Sequence, residues 1–295
     1  MTLFHVVLTL LVAVIWGLAF VATRLALDDF SPPQLVALRF LVAAVPALFL
    51  ARPRVSWRDL TVIGLSLFTG QFLFQFFGIA SGMPPGLASI VVQTQALFTI
   101  LFAALALGDR PGRREWAGTA VAFTGLAVIA LTVGRDLTVA GLALTGLSAV
   151  SWGVGNVLVK RLSPVDMLRL MVWLSLIPPL PSLALTLALD GPRALGTALV
   201  ASSWLGRSAV LYLGLIATVL AYAIWGGLLR RYPAATVTPF ALLIPFVAAY
   251  ASSLAFGERF GPLRLAGMGL VLLGLAVIVA PIGPTAGTVV PRNTG

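Results

Sequence analysis

The length of its apolar runs constrains this chain more than any other feature. Stretches of about twenty mostly apolar residues recur ten times, at 3–27, 32–50, 58–80, 85–107, 114–133, 139–160, 167–189, 205–229, 234–256 and 261–280. Twenty residues of helix rise about 30 Å, the thickness of a bilayer's hydrocarbon core. Strands of an outer-membrane barrel instead alternate apolar and polar residues over about ten positions. The breaks carry helix-stopping residues, among them Ser31-Pro32-Pro33, Met83-Pro84-Pro85, Ser163-Pro164, Asp190-Gly191-Pro192 and Gly261-Pro262. This reads as an all-α integral membrane protein with ten transmembrane helices. Only 9% of residues are charged, against roughly 25% in a soluble domain. A soluble, disordered or nucleic-acid-binding chain is excluded on that ground, despite a net charge of +10.

Sidedness follows from the basic residues. With ten crossings, the termini and even-numbered loops share one side, which holds twelve Lys and Arg against seven on the other. The positive-inside rule then puts both termini in the cytoplasm. The first run lacks a basic leader and a small-residue cleavage site, so it reads as a retained helix. Residues 281–295, rich in Gly, Pro and Thr, read as a disordered cytoplasmic tail. The chain has no cysteine and a single histidine, His5, so no metal or cofactor site is expected.

The two halves repeat. Residues 105–130 align without a gap on 254–279, with twelve identities in 26 positions. Gly108, Gly112, Gly118 and Gly125 fall on Gly257, Gly261, Gly267 and Gly274, and Asp109-Arg110 on Glu258-Arg259. Earlier, Trp16-Gly17 matches Trp152-Gly153, and Ser31-Pro32 with Leu38-Arg39 echoes Ser163-Pro164 with Leu168-Arg169. Residues 1–137 and 138–280 thus read as two five-helix units. Five is odd, so the second unit enters the membrane upside down. Inverted repeats of this kind build alternating-access transporters. Duplication for packing symmetry alone is the plainer alternative.

This arrangement resembles the EamA branch of the drug/metabolite transporter superfamily. The resemblance rests on the five-plus-five repeat, the Gly-Asp/Glu-Arg turns after runs 4 and 9, and the Ser-Pro…Leu-Arg openings of runs 2 and 7. The Gly-spaced runs 5 and 10 add to it. Within that superfamily the chain most resembles the YddG-type exporters of aromatic and other amino acids. The resemblance implies a cavity lined by runs 1, 3, 4, 6, 8 and 9, with runs 5 and 10 outside, in a multi-pass protein of a bacterial inner membrane.

Polar side chains are costly in lipid and turn toward a cavity or another helix. Helical spacing groups Trp16 and Phe20 in run 1, and Gln71, Phe74 and Gln75 in run 3. It adds Gln93 and Gln95 in run 4, Trp152 and Asn156 in run 6, Tyr222 and Trp225 in run 8, and Tyr250 in run 9. These twelve are the candidate substrate-binding residues, with Trp16, Gln71, Gln93 and Trp152 preferred as nearest mid-span. Their alternative role is packing between helices. Pro239 and Pro245 in run 9 and Gly226 and Gly227 in run 8 are candidate hinges. Arg39 and Arg169 read as interface anchors or as ion-pair partners of Asp28 or Asp29 and of Asp166, with a substrate carboxylate as the further option.

All nine acidic residues fall at run ends or in loops. That argues against an intramembrane proton relay and against polycationic substrates, and for facilitated or exchange transport. The expected partners are amino acids, aromatic ones included, and membrane lipid. Purines, sugars, phosphorylated sugars and drugs are the rival solutes. Phosphorylated ones are disfavoured because no Lys or Arg stands mid-span in the expected chamber. A membrane enzyme lacks a recognisable nucleophile–base pair, and a channel lacks a filter-like run. Homodimer and monomer both stay open.

Overall fold

The computed structural model describes residues 1–134, 136–162 and 165–279. The Ser163-Pro164 break and the expected tail at 281–295 lie outside the described residues. Ten main helices follow in order. They are α1 (Leu3–Ala26), α2 (Pro32–Leu48), α3 (Trp57–Ala80), α4 (Pro85–Leu107), α5 (Arg113–Ala130), α6 (Val139–Lys160), α7 (Met167–Leu189), α8 (Trp204–Arg231), α9 (Thr238–Phe256) and α10 (Pro262–Val279). A short helix, Ala194–Ala201, joins α7 to α8. Eight of the ten are long and apolar enough to cross a membrane. The others are α2, shorter at Pro32–Leu48, and α5, whose first turn carries Arg113, Arg114 and Glu115. No strand occurs among the described residues. Large apolar side chains such as Leu105, Leu180, Val200 and Leu254 stand exposed on the outer surface, as a lipid-facing surface requires.

Local chemistry sets the helix ends. Ser56, Thr138, Asp166 and Ser203 each accept a backbone N–H of the first turn of α3, α6, α7 and α8, satisfying donors that a helix start leaves open. Gly108 and Gly257 close α4 and α9 with φ of 71° and 67°, a left-handed conformation open to glycine without steric cost.

Several helices are irregular along their length, α7 among them with a break between Leu174 and Pro179. Gly64–Gly70 of α3 and Tyr212–Leu220 of α8 are π-helical. In each, a threonine hydroxyl donates to the carbonyl five residues back, Thr69 to Gly64 and Thr218 to Leu213. α4 breaks at Thr94, between Pro85–Gln93 and Gln95–Leu107. α9 begins with a 3₁₀ turn, Thr238–Leu243, that carries Pro239 at its start, and Pro245 opens the α-helix that follows.

α1 packs on α8 and α9, and α6 packs on α3 and α4. α5 and α10 lie chiefly against each other. A Cβ added at Gly118 would sit 2.6 Å from the Gly274 carbonyl oxygen, and one at Gly125 2.6 Å from that of Gly267. The register rises along one helix as it falls along the other, so the pair is antiparallel. Glycine permits this approach because no side chain separates the backbones.

Candidate functional site

The helices enclose a central cavity of about 450 Å³, within the ~300–1,000 Å³ usual for small-ligand sites. Its wall comes from α1, α2, α3, α4, α6, α8 and α9. Ten of the twelve candidate residues meet there: Trp16, Phe20, Gln71, Gln75, Gln93, Gln95, Trp152, Asn156, Tyr222 and Trp225.

Two do not. Tyr250 is 69% exposed on the outer face of α9. It stands five residues after Pro245, about 140° around a regular helix, and so cannot share the face of the 3₁₀ turn. That turn presents Thr238, Ala241 and Ile244 to the cavity instead, because residues three apart eclipse in a 3₁₀ helix. Phe74 lies outside the wall too. The cavity face of α3 is Gln71, Phe72 and Gln75, and Phe74 falls about 100° from the middle of that face. Its place is taken by Phe72.

One end of the cavity is aromatic. The Trp16 ring centroid lies 5.4 Å from that of Tyr222 and 5.2 Å from that of Trp225. The Trp16 indole N–H donates to the Ala217 carbonyl at 2.9 Å, inside the π-helical stretch of α8. That bond fixes the ring and leaves its face as the wall. Of the candidate hinges, Pro239 belongs to the 3₁₀ turn and Pro245 follows it directly. Gly226 and Gly227 lie within an unbroken helix, Ala221–Arg231. The irregular part of α8 is the π stretch Tyr212–Leu220, which ends six residues before Gly226.

The amides are partly committed. Gln93 Nε2 donates to the Ala241 carbonyl at 2.9 Å, tying α4 to the 3₁₀ turn. Asn156 Nδ2 donates to Thr99 Oγ1 at 3.1 Å. Gln71 Nε2 donates to Gln75 Oε1 at 2.6 Å. The Gln71 Oε1 atom is buried with no hydrogen-bond partner.

Arg39 is the residue that spacing misjudged. It is 5% exposed and part of the cavity wall. Neither expected acidic partner reaches it, because Arg24 takes Asp28 and Ser203 takes Asp29. Its Nε and Nη2 both donate to Thr218 Oγ1 at 3.2 Å. Its guanidinium lies 4.0 Å from the Phe72 ring centroid, a cation–π contact. A cation therefore does stand in the chamber, contrary to the expectation from the runs. Arg169 is exposed at the start of α7, and Asp166 pairs with Arg230 at 2.9 Å instead.

At the end of the bundle where α4 begins and α9 ends, Glu258 bridges the two. Its Oε2 accepts the Gly86 N–H at 3.2 Å and its Oε1 accepts the Ser252 hydroxyl at 2.6 Å. Burial raises the Glu258 carboxyl above its ordinary range, which the two hydrogen bonds partly offset. No cluster of three metal-ligating side chains occurs among the described residues.

The comparisons agree with this architecture. A model of the EamA-like transporter family matches residues 3–131 and 139–280. A "Probable amino-acid metabolite efflux pump" of Salmonella typhimurium is 40% identical, covering 92% of this chain and 93% of that protein. Its namesake in Escherichia coli K12 is 38% identical, covering 92% and 94%. A "Probable terminal-alkyne amino-acid exporter" of Streptantibioticus cattleyicolor is 30% identical, covering 91% of each chain. A solved crystal structure superposes with a TM-score of 0.61 over 96% of this chain and 99% of that one, at 20% identity, which speaks to the fold alone. With its apolar helices and its match over nearly the whole length, the chain is a multi-pass membrane protein and belongs to the EamA-like transporter family.

Proposed function

We propose that the protein exports amino acids, aromatic ones among them, across the inner membrane by alternating access. The observation that carries this reading is the cavity's mixed wall. Trp16, Tyr222 and Trp225 offer ring faces, and Gln71, Gln75, Gln95 and Arg39 offer polar groups, around one cavity. A small solute with an apolar part and a polar head suits both. The names of the Salmonella, Escherichia and Streptantibioticus relatives point to the same substrate class.

Alternating access rests on an inverted repeat of ten crossings. The seam between α5 and α10 supports it. Gly118 and Gly125 correspond to Gly267 and Gly274 at an offset of 149, and Gly118 meets Gly274 while Gly125 meets Gly267. Reciprocal pairing of this kind is what a two-fold axis between equivalent units produces. The antiparallel course is consistent with an axis across the helices, as an inverted repeat would have. The π-helical threonines Thr69 and Thr218 are likewise 149 apart. Two deeply placed π stretches, one in each half, give each third helix a point at which to flex. With no acidic side chain in the described cavity wall, exchange or facilitated efflux is the favoured mode, with both termini cytoplasmic.

The test is counterflow in proteoliposomes with labelled amino acids, purines, sugars and phosphorylated sugars. Saturable exchange of Trp, Phe or Met is expected, and Trp152→Ala should lower it about tenfold without loss of folded yield. Exchange of another class only, with all three amino acids inert, overturns the substrate. Arg39 brings phosphorylated solutes back into the panel.

A further inference from the structure

Two arginines are buried among the described residues, Arg39 and Arg264. Arg264 is matched by Asp136 at 2.5 Å. Arg39 has no carboxylate within salt-bridge distance; its partners are one hydroxyl and the rings of Phe72 and Phe40. A guanidinium carries five N–H donors in a planar fork suited to a carboxylate. Thr218 occupies Nε and Nη2 at a single oxygen, so the fork is oriented but not satisfied. A buried cation held without an anion is costly in a low-dielectric interior. It is kept where an anion arrives from elsewhere.

The second unsatisfied group stands on the same wall. Gln71, 3% exposed, spends its Nε2 on Gln75 and leaves Oε1 bare. Buried acceptors without a partner are rare in folded chains and call for an explanation. Phe72 links the two sites, as the next residue after Gln71 and the ring beneath the Arg39 guanidinium.

We propose that Arg39 and Gln71 form the polar anchor of the cavity, Arg39 holding the carboxylate and Gln71 Oε1 the ammonium of a zwitterionic α-amino acid. The proposal deepens the exporter reading and rests on it. One permanent cation and one neutral acceptor match a solute of no net charge. A phosphorylated solute would leave excess negative charge, and a simple amine would leave Arg39 bare. The aromatic cluster of Trp16, Tyr222 and Trp225 then receives the side chain. The anchor occurs once, because Arg169, the counterpart of Arg39, is exposed at a helix start.

The experiment is phenylalanine counterflow with purified protein in liposomes. Phenylalanine methyl ester, phenethylamine and 3-phenylpropionate serve as unlabelled competitors. In the wild type each should compete at least ~10-fold more weakly than phenylalanine, since each leaves one anchor unpaired. Arg39→Gln should cut phenylalanine kcat/KM by ~50-fold or more and abolish the preference for phenylalanine over its methyl ester and phenethylamine. Arg39→Lys should recover part of both, and Gln71→Leu should erase the preference over 3-phenylpropionate only. Arg169→Gln should match the wild type. Thr218→Val separates anchoring from helix cross-linking, since it removes the link to α8 and keeps the charge. It should retain the preference for the carboxylate. The anchor is overturned if the wild type takes the ester as well as the acid, a result independent of whether any variant folds. It is also overturned if folded Arg39→Gln keeps the wild-type preference. Failure of the wild type to exchange any amino acid instead overturns the exporter reading.

Discussion

Arg264 and Arg39 are about equally buried, and their surroundings give them different duties. Arg264 donates to Asp136 and to the carbonyl and hydroxyl of Thr132, closing the loop between α5 and α6 onto the start of α10. The hydrogen bond from Arg264 holds the Asp136 carboxyl below its usual range. A carboxyl depressed in the folded state adds stability above its unfolded pKa and loses it as pH falls through the folded one. Asp136→Asn should therefore lower the melting temperature in detergent at pH 7. The gap to wild type should close as pH falls through the folded pKa, where the carboxyl is protonated in both states; a gap that persists there would assign it to packing. Arg39 escaped spacing arguments because Asp28 and Asp29 stand within plausible reach in the sequence. Only the fold reveals that Arg24 and Ser203 have claimed them. The polar and aromatic residues of α1, α3, α6 and α8 were legible, since a lone amide or indole in an apolar run must turn inward. Tyr250 was not, because five residues after Pro245 it turns about 140° around the helix, away from the cavity.

The α5–α10 pair shows how a single residue type shapes an element. Its glycines were legible as packing residues, and the structure commits them to a seam within one chain. Gly125→Leu puts a branched side chain where a Cβ alone would meet the backbone of Gly267 and Val271 at 2.6 Å. A loss of at least ~2 kcal/mol is expected from such overpacking, read as a drop in thermal stability. Gly269→Leu, on the facing helix α10, is the control, since its Cβ meets nothing within 4 Å. An equal drop in both would remove the seam from the argument. The π stretches of α3 and α8 left no trace in hydropathy. They arise from threonine hydroxyls that take a carbonyl five residues back, and nothing in the spacing of apolar residues distinguishes that from an α turn.

Across the whole molecule, the two ends of the bundle are held differently. Glu258 fastens α4 to α9 at one end. Asp109, which aligns with it in sequence at an offset of 149, is taken by Lys160 at the other. The first end is thus fastened by a carboxylate on a helix N-terminus, a favourable placement for negative charge. Glu258→Ala should loosen it. The chain has no cysteine, so a single Thr23→Cys in the cavity wall reports access. Labelling by a membrane-impermeant thiol reagent from the outside should rise about tenfold in the Glu258→Ala background. An unchanged rate would mean that other contacts close this mouth. The ten apolar runs predicted the helices at nearly their observed bounds, but run length alone did not reveal how weak a span α2 and α5 are by themselves. α2 is short, and α5 carries three charges in its first turn.

The glycine seam has a consequence for motion. Swapping the roles of the two halves carries the Gly118–Gly274 contact onto Gly267–Gly125, which already exists. A joint that maps onto itself has nothing to remake between one state and its mirror. Under the alternating access proposed above, α5 and α10 would stand as a fixed axle about which the other helices rock.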